Sequence, residues 1–384
     1  YGPAVARDFN FNGKHRTLYS HPWHERLVDL LLYRQLCFLG HAKFHTRSYA
    51  YRLHGYGVDR CQKAIQRDLK QRCGSVYVIK RDIRDYFNSI NHSILLEKLK
   101  QFIAPDDYLF ELLKSRIRFP FYREGESVQL AIKGVPFGTA VACFLANFYL
   151  IELDHHLNAL PGVTCYRYAD DFLLLCESHT VADLARSEFN SAISDLALSC
   201  KPSHSKNIVL NAENSDNLNF QSVTHFRYLG LKYAAGGAVS LSIEKSRKIR
   251  NLFKFALRRE KRRYNRVSNP FKRAQIAVRI CRRVLEKGVR GVAIIDYYLR
   301  HIDDTIVWKQ MDLWLAEECL HWVFRRGHKK HYFKTIPFQQ LRAMGLPSLL
   351  HRQRLIHHGH IESSFFIWQS TRAQSRHNTY APSE

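Results

Sequence analysis

Negative charge is scarce in this chain. Its 384 residues carry 34 Asp and Glu against 59 Lys and Arg, a net charge of +25 before any of the 21 His contributes. Such an excess repels itself in a compact body unless a polyanion neutralises it, which points to nucleic acid first and an anionic membrane second. Paired cysteines are lacking as well. The nine Cys stand singly, the count is odd and no C-x-x-C occurs, which argues against a disulfide framework or a Cys-rich zinc module and suits a cytoplasmic location. Long apolar runs are missing. The longest, 140–151, is broken by Asn147 and falls short of the roughly 20 residues that cross a bilayer, so no membrane partner is expected. No signal peptide, internal repeat or low-complexity tract is visible, and the chain starts at Tyr1 without a Met. The length allows two or three packed domains, and a hydrophobic content of 46% is ordinary for a globular protein.

What is present alternates between strand and helix patterns. Residues 1–75 are basic and aromatic, with a helix expected over 24–39. A strand over 75–83 precedes a helix over 92–103, and 137–157 reads as one long apolar helix. An acidic hairpin follows, then an amphipathic helix over 181–198, and short strands at 207–211 and 225–233. That order suits an antiparallel sheet with helices on one face, an α+β layer. Beyond 240 the pattern turns helical. Between Lys245 and Arg266 there are 11 Lys and Arg and one acidic residue, Glu260, around an apolar stripe of Ile249, Leu252, Phe253, Ala256 and Leu257. A solvated face normally mixes signs, so this one reads as a phosphate-backbone grip built from Lys245, Arg247, Lys248, Arg250, Lys254, Arg258, Arg259, Lys261 and Arg262. Asn269 and Pro270 read as the cap and first turn of the next helix.

The stretch "CYRYADDFLLLCES" (165–178) places Asp170 and Asp171 between two strand-like flanks. A solvated acidic turn and a metal platform both fit that pattern, and a third carboxylate separates them. Asp82 supplies it, because it ends the apolar strand of "VYVIKRDIRDYFNSIN" (76–91). Carboxylates crowded together stay ionised only with a counter-cation. Two Mg²⁺ ions about 3.5–4 Å apart are the usual arrangement for phosphoryl transfer, and Mg²⁺ favours few carboxylates completed by phosphate oxygens and water. Asp85, three residues on, reads as a salt bridge or helix cap. The His cluster 351, 357, 358 and 360 lacks a spaced Cys or carboxylate and reads as solvated or RNA-facing.

In this order the segments resemble those of reverse transcriptases of the bacterial group II intron and retron type, over roughly 14–335. "SYAYRLHGYGVDRCQKAI" looks like the fingers segment, "RDIRDYFNSI" the first palm motif, "GVPFGTAVACFLANFYLIELD" the second and "YRYADD" the Y-x-D-D motif. "SKNIVLN" is similar to the motif bearing a Lys, and "FRYLGLKY" to the primer-grip hairpin. The resemblance implies a right-hand polymerase of α+β class: fingers in 1–75, a ferredoxin-like palm in 76–239 with 92–133 partly in the fingers, a basic helical thumb in 240–368 and a polar tail in 369–384. It implies Asp82, Asp170 and Asp171 as ligands of two Mg²⁺, and Lys206 as the group that neutralises or protonates leaving pyrophosphate. Phe87 becomes the ring that excludes a ribose 2′-OH, while Lys14, Arg16 and Arg52 face the incoming triphosphate.

One departure stands out. The second palm motif normally reads Pro-Gln-Gly, and here it is Pro136-Phe137-Gly138. Phe stacks but donates no amide hydrogen bond, so Phe137 and Gly138 are expected beside the nascent base pair with altered template handling. The implied reaction is RNA-directed DNA synthesis from dNTPs. The implied partners are an RNA template, expected to be a dedicated structured RNA, and the DNA product. A partner protein or second copy is left open. A stand-alone enzyme, a retron or a defence-associated antiphage system, is the expected context. The alternatives are an RNA-binding maturase or scaffold on a polymerase fold, and a polymerase acting without a conventional template.

Overall fold

The computed structural model describes residues 1–384 apart from 12–13, 53–54, 211–218, 261–266, 287–289, 325–328 and 363–384. Two compact units, Tyr1–Phe226 and Arg227–Glu384, divide the chain. The residues expected as fingers and most of those expected as palm share the first.

That unit opens with strands absent from the sequence reading, β1 (Ala4–Phe11) and β2 (Lys14–Ser20), paired antiparallel so that Phe11 faces Lys14. Helices α1 (Trp23–Leu39) and α2 (Val58–Gln71) follow. Strand β3 (Val76–Asp82) leads through the short α3 (Tyr86–Ser89) to α4 (His92–Lys100) and α5 (Tyr108–Ile117). Strands β4 (Pro120–Tyr122) and β5 (Gln129–Leu130) join the first hairpin in a sheet of order β2-β1-β4-β5. The expected long helix over 137–157 is two helices, α6 (Ala140–Tyr149) and α7 (Ile151–Ala159). Gly138 has φ +108°, outside the helical range, and Thr139 caps α6. No Gly or Pro marks the break at Leu150, so periodicity alone does not reveal it.

Strands β6 (Val163–Tyr168) and β7 (Asp171–Cys176) form the acidic hairpin, followed by α8 (His179–Asp195), β8 (Lys206–Leu210) and β9 (Gln221–Val223). The sheet order is β6-β7-β3-β8-β9. Its first four strands, antiparallel and in sequence β3, β6, β7, β8, have the ferredoxin-like arrangement, and β9 adds in parallel. One face carries helices because the sheet buries apolar side chains there: Ile79 of β3 and Phe172 and Leu174 of β7 are fully buried in one core with α6 and α8. Helix α6 is buried nearly all round within the same core, from Val141 to Tyr149.

The second unit starts around β10 (His225–Tyr228), which straddles the division, β11 (Leu231–Ala234) and β12 (Val239–Leu241). Residues 225–233 are thus two neighbouring strands and not one, as the resemblance to a primer-grip hairpin implies, because Leu229 (φ 46°) and Gly230 (φ 82°) turn the chain. Among the described residues seven helices follow: α9 (Ile243–Arg259), α10 (Pro270–Val284), α11 (Arg290–His301), α12 (Thr305–Phe324), α13 (Lys329–Thr335), α14 (Phe338–Ala343) and α15 (Leu349–His357). Asn269 caps α10 with Pro270 in its first turn, as expected. Among the described residues, no helix is long and apolar enough to cross a membrane.

Candidate active site

The carboxylates meet at one end of the ferredoxin-like sheet. Asp82, the last residue of β3, is the register partner of Asp171, the first residue of β7. Asp170 lies in the two-residue connection between β6 and β7, and its carbonyl accepts from Ile83 N–H at 3.1 Å. Its neighbour Ala169 has φ 59°, a left-handed conformation that costs an L-residue about 1–2 kcal/mol. Burial pushes the Asp171 carboxyl up to about 7 against the pull of Lys80, and Asp82 and Asp170 push it the same way. Such a set calls for a cation. Among the described residues no three His, Cys, Asp or Glu side chains form a ready-made ion cage. The donors nevertheless suit Mg²⁺, which takes one or two carboxylates and completes its shell with water and phosphate.

A cation that sequence reasoning missed stands beside them. Lys201 Nζ donates to Asp82 Oδ1, and Lys201 N–H bonds the Asp82 carbonyl at 2.8 Å. Arg84 N–H to Ser199 O at 2.7 Å and the Ile83–Cys200 bridge zip this segment onto the end of β3. Lys206, the expected cation, is exposed at the start of β8 and lies across from Lys80. "CKPSHSK" holds both lysines, and spacing alone does not say which reaches the carboxylate. Asp85 precedes α3 in a left-handed conformation (φ 42°) but makes no side-chain capping bond; its carboxylate accepts from the Asn88 side chain, Nδ2, at 2.9 Å.

Phe87 and Phe137 are brought together. Their rings meet edge to face at 5.1 Å between centroids, with Tyr51 on Phe87 at 6.1 Å. The backbone arranges this: Val135 N–H bonds Phe87 O at 2.8 Å and Gly134 N–H bonds Ile90 O at 2.7 Å. Gly134 is required there, because its φ is +82° and a Cβ would lie 2.9 Å from Asn88 Cα. Gly138 is constrained by its φ of +108°, since a Cβ there would meet only the end of the Leu18 side chain, at 2.5 Å.

Arg52 is a clamp on its own loop. It donates to the carbonyls of His41 (3.0 Å), His45 (2.8 Å) and Ser48 (3.2 Å), with its guanidinium 3.6 Å over the Tyr56 ring. Lys14 and Arg16 lie on β2, and their side chains fall outside the described residues. In the second unit Ile249, Phe253 and Leu257 bury one stripe of α9, leaving Arg247, Lys248, Arg258 and Arg259 exposed and Lys245 half-buried. Arg250 and Lys254 turn to the Trp314 ring at 5.1 and 5.9 Å, and Lys254 also pairs with Glu318 at 3.9 Å. Lys261 and Arg262 lie outside the described residues, as does the expected tail. His357 bonds the Leu299 carbonyl at 3.0 Å.

Residues 10–233 match the profile of the family described as "Reverse transcriptase (RNA-dependent DNA polymerase)". The chain belongs to the reverse transcriptase family. Its motif set is that of the group II intron and retron type. Protein YkfC of Escherichia coli K12 is 26% identical over 213 residues, covering 46% of this chain and 55% of YkfC. An uncharacterized 91 kDa protein in a cob intron of Schizosaccharomyces pombe is 27% identical over 167 residues, covering 43% of this chain and 20% of that protein. The reverse transcriptase chain thus spans about half the length of one relative and a fifth of the other. In fold it resembles apo telomerase of Candida tropicalis at a TM-score of 0.53 and 10% identity, over 90% of this chain and 66% of that one. The same telomerase with a telomeric RNA fragment matches at 0.51 and 11% identity, over 92% and 60%.

Proposed function

We propose that this reverse transcriptase is an active RNA-directed DNA polymerase that adds dNTPs to a primer 3′ end. The observation that carries the reading is the register of Asp82 against Asp171 with Asp170 in the adjoining turn. When bound, two Mg²⁺ ions supply charge neutralisation at the attacking hydroxyl and the leaving pyrophosphate. Asp82, Asp170 and Asp171 would hold them. Lys201 neutralises Asp82, and Lys206 stands at the same sheet end as a cation for the departing pyrophosphate. Phe87, braced by Phe137, walls the sugar side, and the triphosphate is assigned to Lys14 and Arg16, with Arg52 holding the adjacent loop. Arg247, Lys248, Arg258 and Arg259 are assigned to the template–product backbone. The fingers, palm and thumb boundaries at 75/76 and 239/240 belong to the same proposal. A dedicated structured RNA and a role in antiphage defence rest on the resemblance alone.

The deciding experiment is primer extension on an RNA template. Asp170→Asn and Asp82→Asn keep side-chain shape and remove charge, so incorporation is expected to vanish while RNA binding persists. Wild-type synthesis by either variant would overturn the assignment. Sequencing the nucleic acid that copurifies identifies the template, and a random cellular mixture would count against a dedicated RNA.

A further inference from the structure

A buried arginine lies under the Y-x-D-D turn. Arg167 is 1% exposed and lies next to last in β6, between Tyr166 and Tyr168. Its guanidinium grips Asp154 of α7 through Nε (2.6 Å) and Nη2. Nη1 donates to Asn147 Oδ1 at 2.8 Å and to the carbonyl of Ala169 at 3.1 Å. Asn147 is fixed in turn, since its Nδ2 donates to Ala50 O at 3.1 Å and its Oδ1 accepts from Ser48 Oγ at 3.3 Å. The Arg167 backbone joins the same loop: its N–H bonds Arg47 O and its carbonyl accepts from Tyr49 N–H, both at 3.0 Å.

The two residues of the turn are therefore held from two sides. Ala169, in a left-handed conformation, is bonded by Arg167 from beneath, and the Asp170 carbonyl is bonded by Ile83 from the neighbouring strand. The Asp154 carboxylate takes two of the five N–H donors of this buried guanidinium, so the remaining donors need other acceptors. The additional bonds to Asn147 and Ala169 do something more: they fix the carbonyl one residue before the first turn carboxylate. Asn147 is the polar residue that interrupts the apolar run of α6, so the second palm motif supplies the brace.

We infer that Arg167 is a positioning residue for the metal-binding turn, seated by Asp154 and braced by Asn147. It sets the direction of the Asp170 carboxylate without touching substrate. The inference rests on the metal reading of the three carboxylates. Supports that orient metal ligands from the outer shell typically change metal affinity about 10–100-fold when removed.

The test is Mn²⁺ titration followed by electron paramagnetic resonance, which reads bound ion without turnover, alongside primer extension and thermal melting. Arg167→Lys keeps the charge beside Asp154 and cannot span three partners. The paired variant Arg167→Met with Asp154→Leu removes the ion pair as a unit, a change that buried pairs often tolerate. Asn147→Ser leaves the ion pair and removes the brace. Each folded Arg167 variant is expected to weaken Mn²⁺ binding by about 10–100-fold. Asn147→Ser is expected to give a smaller shift of the same sign, with RNA binding unchanged in all. If Asn147→Ser and whichever Arg167 variant folds bind Mn²⁺ as tightly as a binding wild type, this inference alone is overturned. A wild type that binds no Mn²⁺ overturns the metal reading and this inference with it.

Discussion

Phe137 illustrates how one residue changes meaning once its neighbours are known. From the sequence it is a flat surface in place of an amide, expected to stack on the template or nascent pair. Its ring also meets Phe87 edge to face at 5.1 Å, so it braces the residue assigned to sugar choice. Such a ring pair is worth about 0.5–1.5 kcal/mol beyond the area it buries. Phe87→Ala is expected to raise rNTP incorporation relative to dNTP, and Phe137→Ala to do so to a lesser degree through a loosened Phe87. Phe137→Tyr keeps the ring and should behave as wild type. Competition between rNTP and dNTP in primer extension checks this, and unchanged discrimination in Phe137→Ala would leave that ring a template contact or core filler only. The three aspartates were legible because their order and flanking strands are distinctive. Lys201, Arg167 and Asn147 were not, since each acts through a contact that pairs distant segments. Their only trace is polarity out of place: a charge inside the β6 strand and an amide inside the α6 run.

Among the elements, helices α1 and α8 and the start of α10 are readable to within a few residues, and the buried stripe of α9 is readable from its spacing. The first hairpin is not evident from periodicity, although Asn12-Gly13, a strong hairpin signal, lies between its two strands in the sequence. Its basic, aromatic strands lack clean alternation, so pairing rather than pattern makes them strands. Near it, α1 and α5 share a buried cluster in which Arg116 bonds Asp29 through two contacts at 2.8 Å and approaches His21 at 3.0 Å. Burial, then the Arg116 charge, hold the His21 ring down to about 4 from its ordinary 6.5. The unfolded chain therefore takes up a proton between these values that the folded chain refuses. Stability is expected to fall as pH drops through that window. His21→Gln, which does not titrate, should flatten this slope in melts from pH 6.5 to 4; an unaltered slope would place the acid sensitivity elsewhere. On α9 the exposed pair Arg258 and Arg259 differs from Arg250 and Lys254, which serve Trp314. Replacing the first pair with Gln should flatten the log–log salt dependence of RNA binding by roughly 0.7–0.9 per lost phosphate contact. Lys254→Gln should leave that slope unchanged, and the reverse result would reassign the helix face.

At the scale of the whole molecule, the +25 net charge predicts that a polyanion stabilises the folded chain. Heparin or RNA should raise the melting temperature at low salt and lose the effect as salt increases; a salt-independent rise would indicate a different mode of binding. The order β6-β7-β3-β8 carries one more consequence, for synthesis rather than catalysis. Strand β3 leaves the ribosome first, yet its two neighbours, β7 and β8, end only at Cys176 and Leu210. Until β7 has emerged, Val78 and Ile79 have no sheet to enter, and until β8 has emerged one edge of β3 stays unpaired; pairings so far apart in sequence form slowly. A nascent chain halted before β8 therefore exposes an apolar strand with a free edge, the form of chain most prone to joining its copies. Among the described strand pairs, the strand that ends in Asp82 thus waits longest for a partner.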